Sequence, residues 1–366
     1  MRYRSWPRNI LPLTLAICAH ASGFQQPRTY NMGGHPIAVA IADFNRDGYP
    51  DIAVAVQDYF TSDVRVLLAN RDGTLNGTSH YAIGTPVDIA SGDFNGDGNP
   101  DLAVGEDLGS IEVLLGNGDG TFTQFPTLPA GTDLYSIRSA DFNGDGKQDL
   151  AVCIFKYNLP GQGAVGVLMS NGDGTFQGYV PYFAGQNPND LVAGDFNRDG
   201  IVDLAVADQD MRGTHKNFAV LLGNGDGSFP APLLSRVAAT RARRIAAADI
   251  NGDGNLDLAM TADGDVFALL GHGDGKFTMS TGFHFNSTMA VTLGDVDGDG
   301  IVDLLVPLDL DSGIAIFHGN GDGTFRNRLQ NNLGGDFAAA ADFNQDGVPD
   351  LLAGEVEAIR VALGAP

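Results

Sequence analysis

Asp93-Phe94-Asn95-Gly96-Asp97-Gly98-Asn99-Pro100-Asp101-Leu102-Ala103-Val104 is the stretch that decides how this chain folds. Its first nine residues follow the pattern Asp-x-Asn/Asp-x-Asp-Gly-x-x-Asp. That pattern occurs seven times, starting at Asp43, Asp93, Asp141, Asp195, Asp249, Asp295 and Asp342. Successive copies lie 46 to 54 residues apart. Self-similarity at a period near fifty means an array of equivalent units. Units this small cannot bury a core alone, so neighbours must share one.

The residues around the loop show what one unit contains. Pro86 to Gly92 is a short extended run of small and β-branched residues, and the loop follows it. Leu102-Ala103-Val104-Gly105 reads as a second strand and Ile111-Glu112-Val113-Leu114-Leu115 as a third. Gly116-Asn117-Gly118-Asp119-Gly120 is rich in residues that tolerate positive φ, so it reads as a tight turn. Thr121-Phe122 opens a fourth strand running towards Leu128. Four strands in about fifty residues is the size of one propeller blade. The turn recurs at Asn171–Gly174, Asn224–Gly227, His272–Gly275 and Asn320–Gly323, with a weaker copy at Asn70–Gly73. These copies lack the later Asp of the acidic loop, so they read as hairpin turns.

The last unit supplies only a second strand, Leu351–Ala353, and a third, Ala358–Leu363, after its loop. A surplus strand, from about Phe24 to Asn31, precedes the first unit. Pairing the two closes the ring and removes two exposed edges. The expected fold is therefore all-β: a seven-bladed β-propeller of four-stranded blades, closed by its N-terminal strand in the last blade.

Oxygen ligands at alternate positions are how a short loop wraps a hard cation. The side-chain donors are Asp43, Asn45, Asp47 and Asp51; Asp93, Asn95, Asp97 and Asp101; Asp141, Asn143, Asp145 and Asp149; Asp195, Asn197, Asp199 and Asp203; Asp249, Asn251, Asp253 and Asp257; Asp295, Asp297, Asp299 and Asp303; and Asp342, Asn344, Asp346 and Asp350. The sixth position is always Gly. The seventh varies freely, as a backbone-carbonyl donor can. An all-oxygen set favours Ca²⁺, up to seven ions, over zinc or copper. An EF-hand would need Glu at the twelfth position, where Val54, Val104 and Val152 stand.

The formal net charge of −24 argues against nucleic acid, which needs a clustered positive surface. The seven loops hold 22 of the 45 acidic residues, so most of the acidity reads as ligand rather than docking surface. Residues 1–21 read as a secretory signal: Arg2, Arg4 and Arg8 lead, an apolar stretch runs from Ile10 to Ala19, and Ala19-His20-Ala21 offers a cleavage site. Residues 22–366 would then form the propeller. No other stretch approaches the ~18 apolar residues of a membrane span. Of the two cysteines, Cys18 would leave with the signal, and Cys153 reads as a small buried apolar residue.

The 93–104 run and Leu114-Leu115-Gly116-Asn117-Gly118-Asp119-Gly120-Thr121-Phe122 resemble the FG-GAP repeats, also called VCBS repeats. That family is seen in the integrin α-chain propeller and in many bacterial exported proteins. The resemblance covers nearly all of residues 24–364. It implies Ca²⁺ in the loops between first and second strands, and ligand binding on the opposite face. All seven blades keep the metal loop here, and no inserted domain is present. A free-standing secreted relative is implied rather than an adhesion receptor.

The opposite-face connections are uneven. The long ones carry Tyr59, Phe60, Phe155, Tyr157, Arg212 and His215, and aromatic residues on such loops point to a ligand surface. Arg236, Arg241, Arg243 and Arg244 form the only basic cluster, with Arg243 the candidate for an acidic ligand. The histidines are scattered without shared spacing, and no nucleophile elbow is present, so no catalytic residues are assigned. The expected function is that of a secreted, extracellular or periplasmic, monomeric calcium-binding module for binding or adhesion to an extracellular protein or polysaccharide. The alternative is an exported calcium-dependent polysaccharide lyase or hydrolase.

Overall fold

A computed structural model describes residues 23–58, 61–154, 163–209, 217–237, 239, 241–285, 288, 290–308, 313–330 and 333–365. They form seven antiparallel sheets and no helix. Blade 1 is His35–Ala42, Asp51–Gln57, Asp63–Ala69 and Leu75–Ala82. Blade 2 is Pro86–Gly92, Asp101–Glu106 and Ser110–Gly116, with its outer strand in two pieces, Phe122–Gln124 and Leu128–Pro129. Pro126 lies between those pieces and has no N–H for the ladder. Blade 3 is Leu134–Ala140, Asp149–Ile154, Ala164–Leu168 and Val180–Phe183. Blade 4 is Pro188–Gly194, Asp203–Asp208, Phe218–Leu221 and Leu233–Ser235. Blade 5 is Ala242–Ala248, Asp257–Ala262, Asp265–Gly271 and Phe277–Phe283. Blade 6 is Thr292–Gly294, Asp303–Pro307, Ile314–Gly319 and Phe325–Gln330.

Blade 7 is completed from the far end of the chain. Phe337–Ala341, Asp350–Gly354 and Ala358–Ala362 are joined by Arg28–Asn31 as the outer strand. Arg28 pairs with Val361 and Asn31 with Ala358, antiparallel, and an isolated bridge joins Phe24 to Gly364. Tyr30 confirms the role of this strand. Its hydroxyl accepts the Leu75 N–H at 3.0 Å, as Tyr81 in the outer strand of blade 1 accepts that of Phe122 at 2.6 Å. The strand is shorter than the sequence implies, four residues from Arg28, but it lies where closure requires.

The hydrophobic core is divided among the junctions between blades. Each of seven clusters draws its residues from two neighbouring blades. One joins blades 7 and 1 through Phe343, Leu352 and Val361 against Ile52, Val54 and Val56. The second strands are sandwiched on both faces, and Asp149–Ile154 is buried along its whole length. That is why they read as unbroken Leu-Ala-Val runs rather than alternating ones. Cys153 lies in this strand, fully buried, and burial pushes its thiol pKa well up, so it packs as an apolar residue.

The hairpin turns lock one blade to the next. The Gly120 N–H donates to the Phe44 carbonyl at 3.0 Å, and Gly174, Gly227 and Gly275 do the same to Phe94, Phe142 and Phe196. The Phe after each of these turns stacks edge-on against the same loop Phe, as Phe122 does on Phe44 with centroids 5.4 Å apart. Such pairs contribute about 0.5–1.5 kcal/mol beyond their buried area. In the weaker first copy Leu75 replaces the Phe and joins the cluster around Phe343.

Candidate functional site

The seven acidic loops lie on one face, each between the first and second strands of its blade. In blade 2 the Asp93 carboxylate accepts the N–H groups of Gly96, Asp97 and Gly98. Asn95 Oδ1 accepts the Asp97 N–H at 2.9 Å, and Asp97 Oδ1 accepts the Asn99 N–H at 2.8 Å. Gly98 has φ of +80°, which bends the chain back over its own carboxylates. The bonds to the fifth and sixth N–H groups recur around Asp43, Asp195, Asp249 and Asp342. In blade 6 one carboxylate oxygen from each of Asp295, Asp297 and Asp299 lies within 4.8 Å of the other two. The donor set is all oxygen, and it fits a metal ion.

The ninth-position Asp has a structural duty that the sequence pattern does not reveal. Asp101 is fully buried. Its Oδ2 accepts the Phe94 N–H at 2.8 Å, and its Oδ1 accepts the Gly116 N–H at 2.7 Å at the end of the third strand. The six equivalents repeat both bonds, so one carboxylate ties the loop to the far side of each blade. A Cβ at Gly116 would strike the Pro100 carbonyl, whereas Ala69 and Ser170 hold the same place in blades 1 and 3.

Burial pushes the pKa of Asp51, Asp101, Asp203 and Asp350 up to about 6, against the lowering effect of their backbone N–H partners. The folded values thus lie above an unfolded value of about 3.9. Between the two, the native state holds more protons, so metal-free protein loses stability as pH rises through that window. A bound cation reverses the sign by favouring the carboxylate. Metal-free protein is therefore expected to melt higher at about pH 5.5 than at about pH 7.5, and metal-loaded protein lower. Calorimetry in metal-depleted and metal-replete buffers checks this. A metal-free melting temperature that rises with pH would contradict it.

Blade 6 departs from the others. Its third position is Asp297, and His318 of the third strand enters the loop, with Nδ1 3.0 Å from Asp297 and 3.4 Å from Asp303. Leu68, Leu115, Met169, Leu222, Leu270 and Leu363 stand at the corresponding positions of the other blades. Arg326 also approaches Asp299, at 3.4 Å. The scattered histidines of the sequence thus include one that the fold brings to a metal loop.

The opposite face carries different chemistry. In blades 1 to 5 the first strand has a bulge near its start, at Pro36/Ala38, Pro86/Asp88, Leu134/Ser136, Pro188/Asp190 and Ala242/Arg244. Bulges re-aim side chains. Here they bring residues from separate blades together at the channel mouth. Arg138 bonds Asp88 at 2.6 Å and Asp190 at 3.0 Å, and the Ser136 hydroxyl is shared between the same two carboxylates, at 3.0 and 2.8 Å. Burial works against the guanidinium charge, but the two carboxylates outweigh it and push the Arg138 pKa up. A cavity of about 360 Å³ at this mouth is lined by Arg138, Asp88, Asp190, Arg244, His35 and Asp336, with the last two 2.6 Å apart. A second cavity of about 260 Å³ beside it is lined by Arg241, Arg243, Thr261, Asp263 and Thr288.

Of the ligand-binding candidates named from the sequence, Arg243 is the one the structure places, in that second cavity. Tyr59, Phe60, Phe155, Tyr157, Arg212 and His215 lie outside the described residues, as does the 1–21 segment. Sequence reading missed the Asp88–Arg138–Asp190 network. The available signal was positional: Asp88, Ser136, Asp190 and Arg244 each stand five residues before the first Asp of their loop.

No helix among the described residues is long and apolar enough to cross a membrane. No curated protein matches the chain. Among solved structures, BBS1N in its complex with ARL6DN superposes with a TM-score of 0.67 at 15% identity, over 93% of this chain and 97% of that one. An Agrocybe aegerita lectin, described as recognising non-reducing terminal N-acetylglucosamine, gives 0.54 at 17% identity, over 86% of this chain and 87% of that one. A protein from Lactobacillus plantarum gives 0.58 at 15% identity, over 89% and 87%. At such identities these likenesses concern the fold. The model of the FG-GAP-like repeat matches residues 43–104, 93–152, 195–260 and 249–306, more than half of the sequence. With those matches falling on the loops and blades described above, the chain belongs to the FG-GAP-like repeat family.

Proposed function

We propose that this chain is an exported, calcium-stabilised propeller that acts as a binding module for an extracellular protein or glycan. On this reading residues 1–21 are a removed signal peptide, and residues 22–366 form a monomeric propeller. The hard-oxygen donor sets favour Ca²⁺. When bound, the ion neutralises the carboxylates of each loop, and the chain's own backbone bonds hold the loop in shape around it.

The observation that carries the binding reading is the asymmetry of the two faces. One is filled by seven acidic loops folded onto their own N–H groups. The other presents polar cavities at the channel mouth, in the kind of concave setting ligands use. The named structural relatives support both partner classes, since one is complexed with a protein and another recognises a sugar.

A glycan array probed with the calcium-loaded protein, with turnover of the same glycans followed in parallel, tests the proposal. Binding without cleavage is expected. Cleavage of an acidic glycan would replace it with the lyase reading, which draws on His35, Arg138 and Arg244 lining one cavity. Silence in both assays would move the partner to the protein class.

A further inference from the structure

We propose that the smaller cavity, in blade 5 beside the channel mouth, is a carboxylate site for uronate-bearing glycans. The inference rests on the glycan branch of the binding reading and narrows it to a ligand chemistry.

The first observation is an orphaned hydroxyl. Thr288 is 4% exposed and lines the cavity, and its Oγ1 is buried without a hydrogen-bond partner among the described residues. Buried polar groups are nearly always satisfied, so an unsatisfied one on a cavity-lining residue points to a partner that the described residues do not supply. A small shift of the wall would let it donate to a ligand oxygen, since the hydroxyl is sealed from solvent as it stands.

The second observation is a pair of unused cations. Arg241 and Arg243 are exposed, and neither forms an ion pair with an acidic side chain among the described residues. Arg46, Arg71 and Arg198 likewise form no ion pair among the described residues; what sets Arg241 and Arg243 apart is that both line one cavity. Arg65, Arg138 and Arg360 are each satisfied by a carboxylate within 3.0 Å. Guanidinium forks match carboxylates in geometry as well as charge.

The site is also held in place. The blade 5 bulge pairs Ala242 with Ala262 and Arg244 with Thr261, which leaves Arg243 without a strand partner. The backbone beneath is pinned: Asn189 Nδ2 donates to the Arg243 carbonyl at 2.7 Å, the Asp263 N–H to that of Arg241 at 3.2 Å, and the Arg244 N–H to Thr261 Oγ1 at 3.1 Å. A two-residue turn, Asp263 at φ +52° and Gly264 at φ +90°, keeps the rim low.

Charge and lining then select the ligand. Two guanidinium groups and the Asp263 carboxylate leave a single positive charge, which suits a monoanion better than a phosphate dianion. Hydroxyls and charged groups dominate the lining, and no aromatic residue is part of it. Such a wall suits a hydroxylated sugar acid rather than an apolar side chain. Arg244, the next residue along the strand, lines the channel-mouth cavity.

The test is calorimetric titration of the calcium-loaded protein with a galacturonate trisaccharide and with its methyl ester, which has the same hydroxyls but no charge. The acid is expected to bind at least tenfold more tightly than the ester. Arg241→Gln and Arg243→Gln are each expected to weaken the acid at least tenfold, and Thr288→Val severalfold. Arg71→Gln, in a turn on the metal face, should leave it unchanged. Melting temperatures of all variants verify that they fold. If acid and ester bind alike, or if folded Arg243→Gln binds as wild type does, the carboxylate site is wrong while the binding module stands. If neither the trisaccharide nor any arrayed glycan binds, the carboxylate site and the glycan branch fail together.

Discussion

Chelating calcium is expected to lower the melting temperature by about 10 °C or more. A ligand held at a hundredfold excess over its Kd, and bound only by the native state, adds ~2.7 kcal/mol per site. Three filled loops would therefore supply ~8 kcal/mol, and each kcal/mol moves the midpoint of a chain of this size by roughly 2 °C. The coupling is direct, because each loop crowds three carboxylates together and joins the first two strands of its blade. Without a cation their mutual repulsion frays that junction. Differential scanning calorimetry with EGTA and with millimolar Ca²⁺ makes the comparison. Identical midpoints would reduce the loops to metal-free turns and remove calcium from the account.

The second large effect separates two kinds of aspartate within one loop. Asp101→Ala should cost about 3–5 kcal/mol even in metal-free protein. It removes both acceptors of the Phe94 and Gly116 N–H groups at a buried site. Each buried donor left unsatisfied costs roughly 1–3 kcal/mol. Asp97→Ala, at an exposed position, should cost little in chelator and show its effect only when calcium is present. Urea denaturation of both variants with and without Ca²⁺ makes the contrast. Equal losses in chelator would mean that the ninth position is an ordinary ligand and not a tie across the blade.

This contrast marks where the sequence is a good guide. Whatever repeats was legible: the seven loops, the hairpin turns and the strand that closes the ring. Each is a local pattern, multiplied until chance is excluded. The double hydrogen bond of Asp101 was not legible, because its partners are a backbone group seven residues back and another fifteen residues on. Neither leaves a side-chain signature. The opposite face was harder still. Arg138, Asp88 and Asp190 stand about fifty residues apart along the chain, and bulges with no composition of their own bring them together. Arg243 was singled out for the company of other arginines. The cavity beside it also takes in Thr288, a distant residue along the chain whose hydroxyl is found without a partner.

Ring closure also sets an order of events. The strand Arg28–Asn31 is synthesised before any blade, yet its partner Ala358–Ala362 is among the last segments made. Blades 1 to 6 can complete their own sheets as they emerge, while this strand waits with both edges open. Contacts so distant in sequence form slowly, because the whole intervening chain must be ordered first. Completion of blade 7 by this strand is thus the natural last step of folding. The pairing spans four residue pairs, extended by the Phe24–Gly364 bridge, and ties one end of the chain to the other.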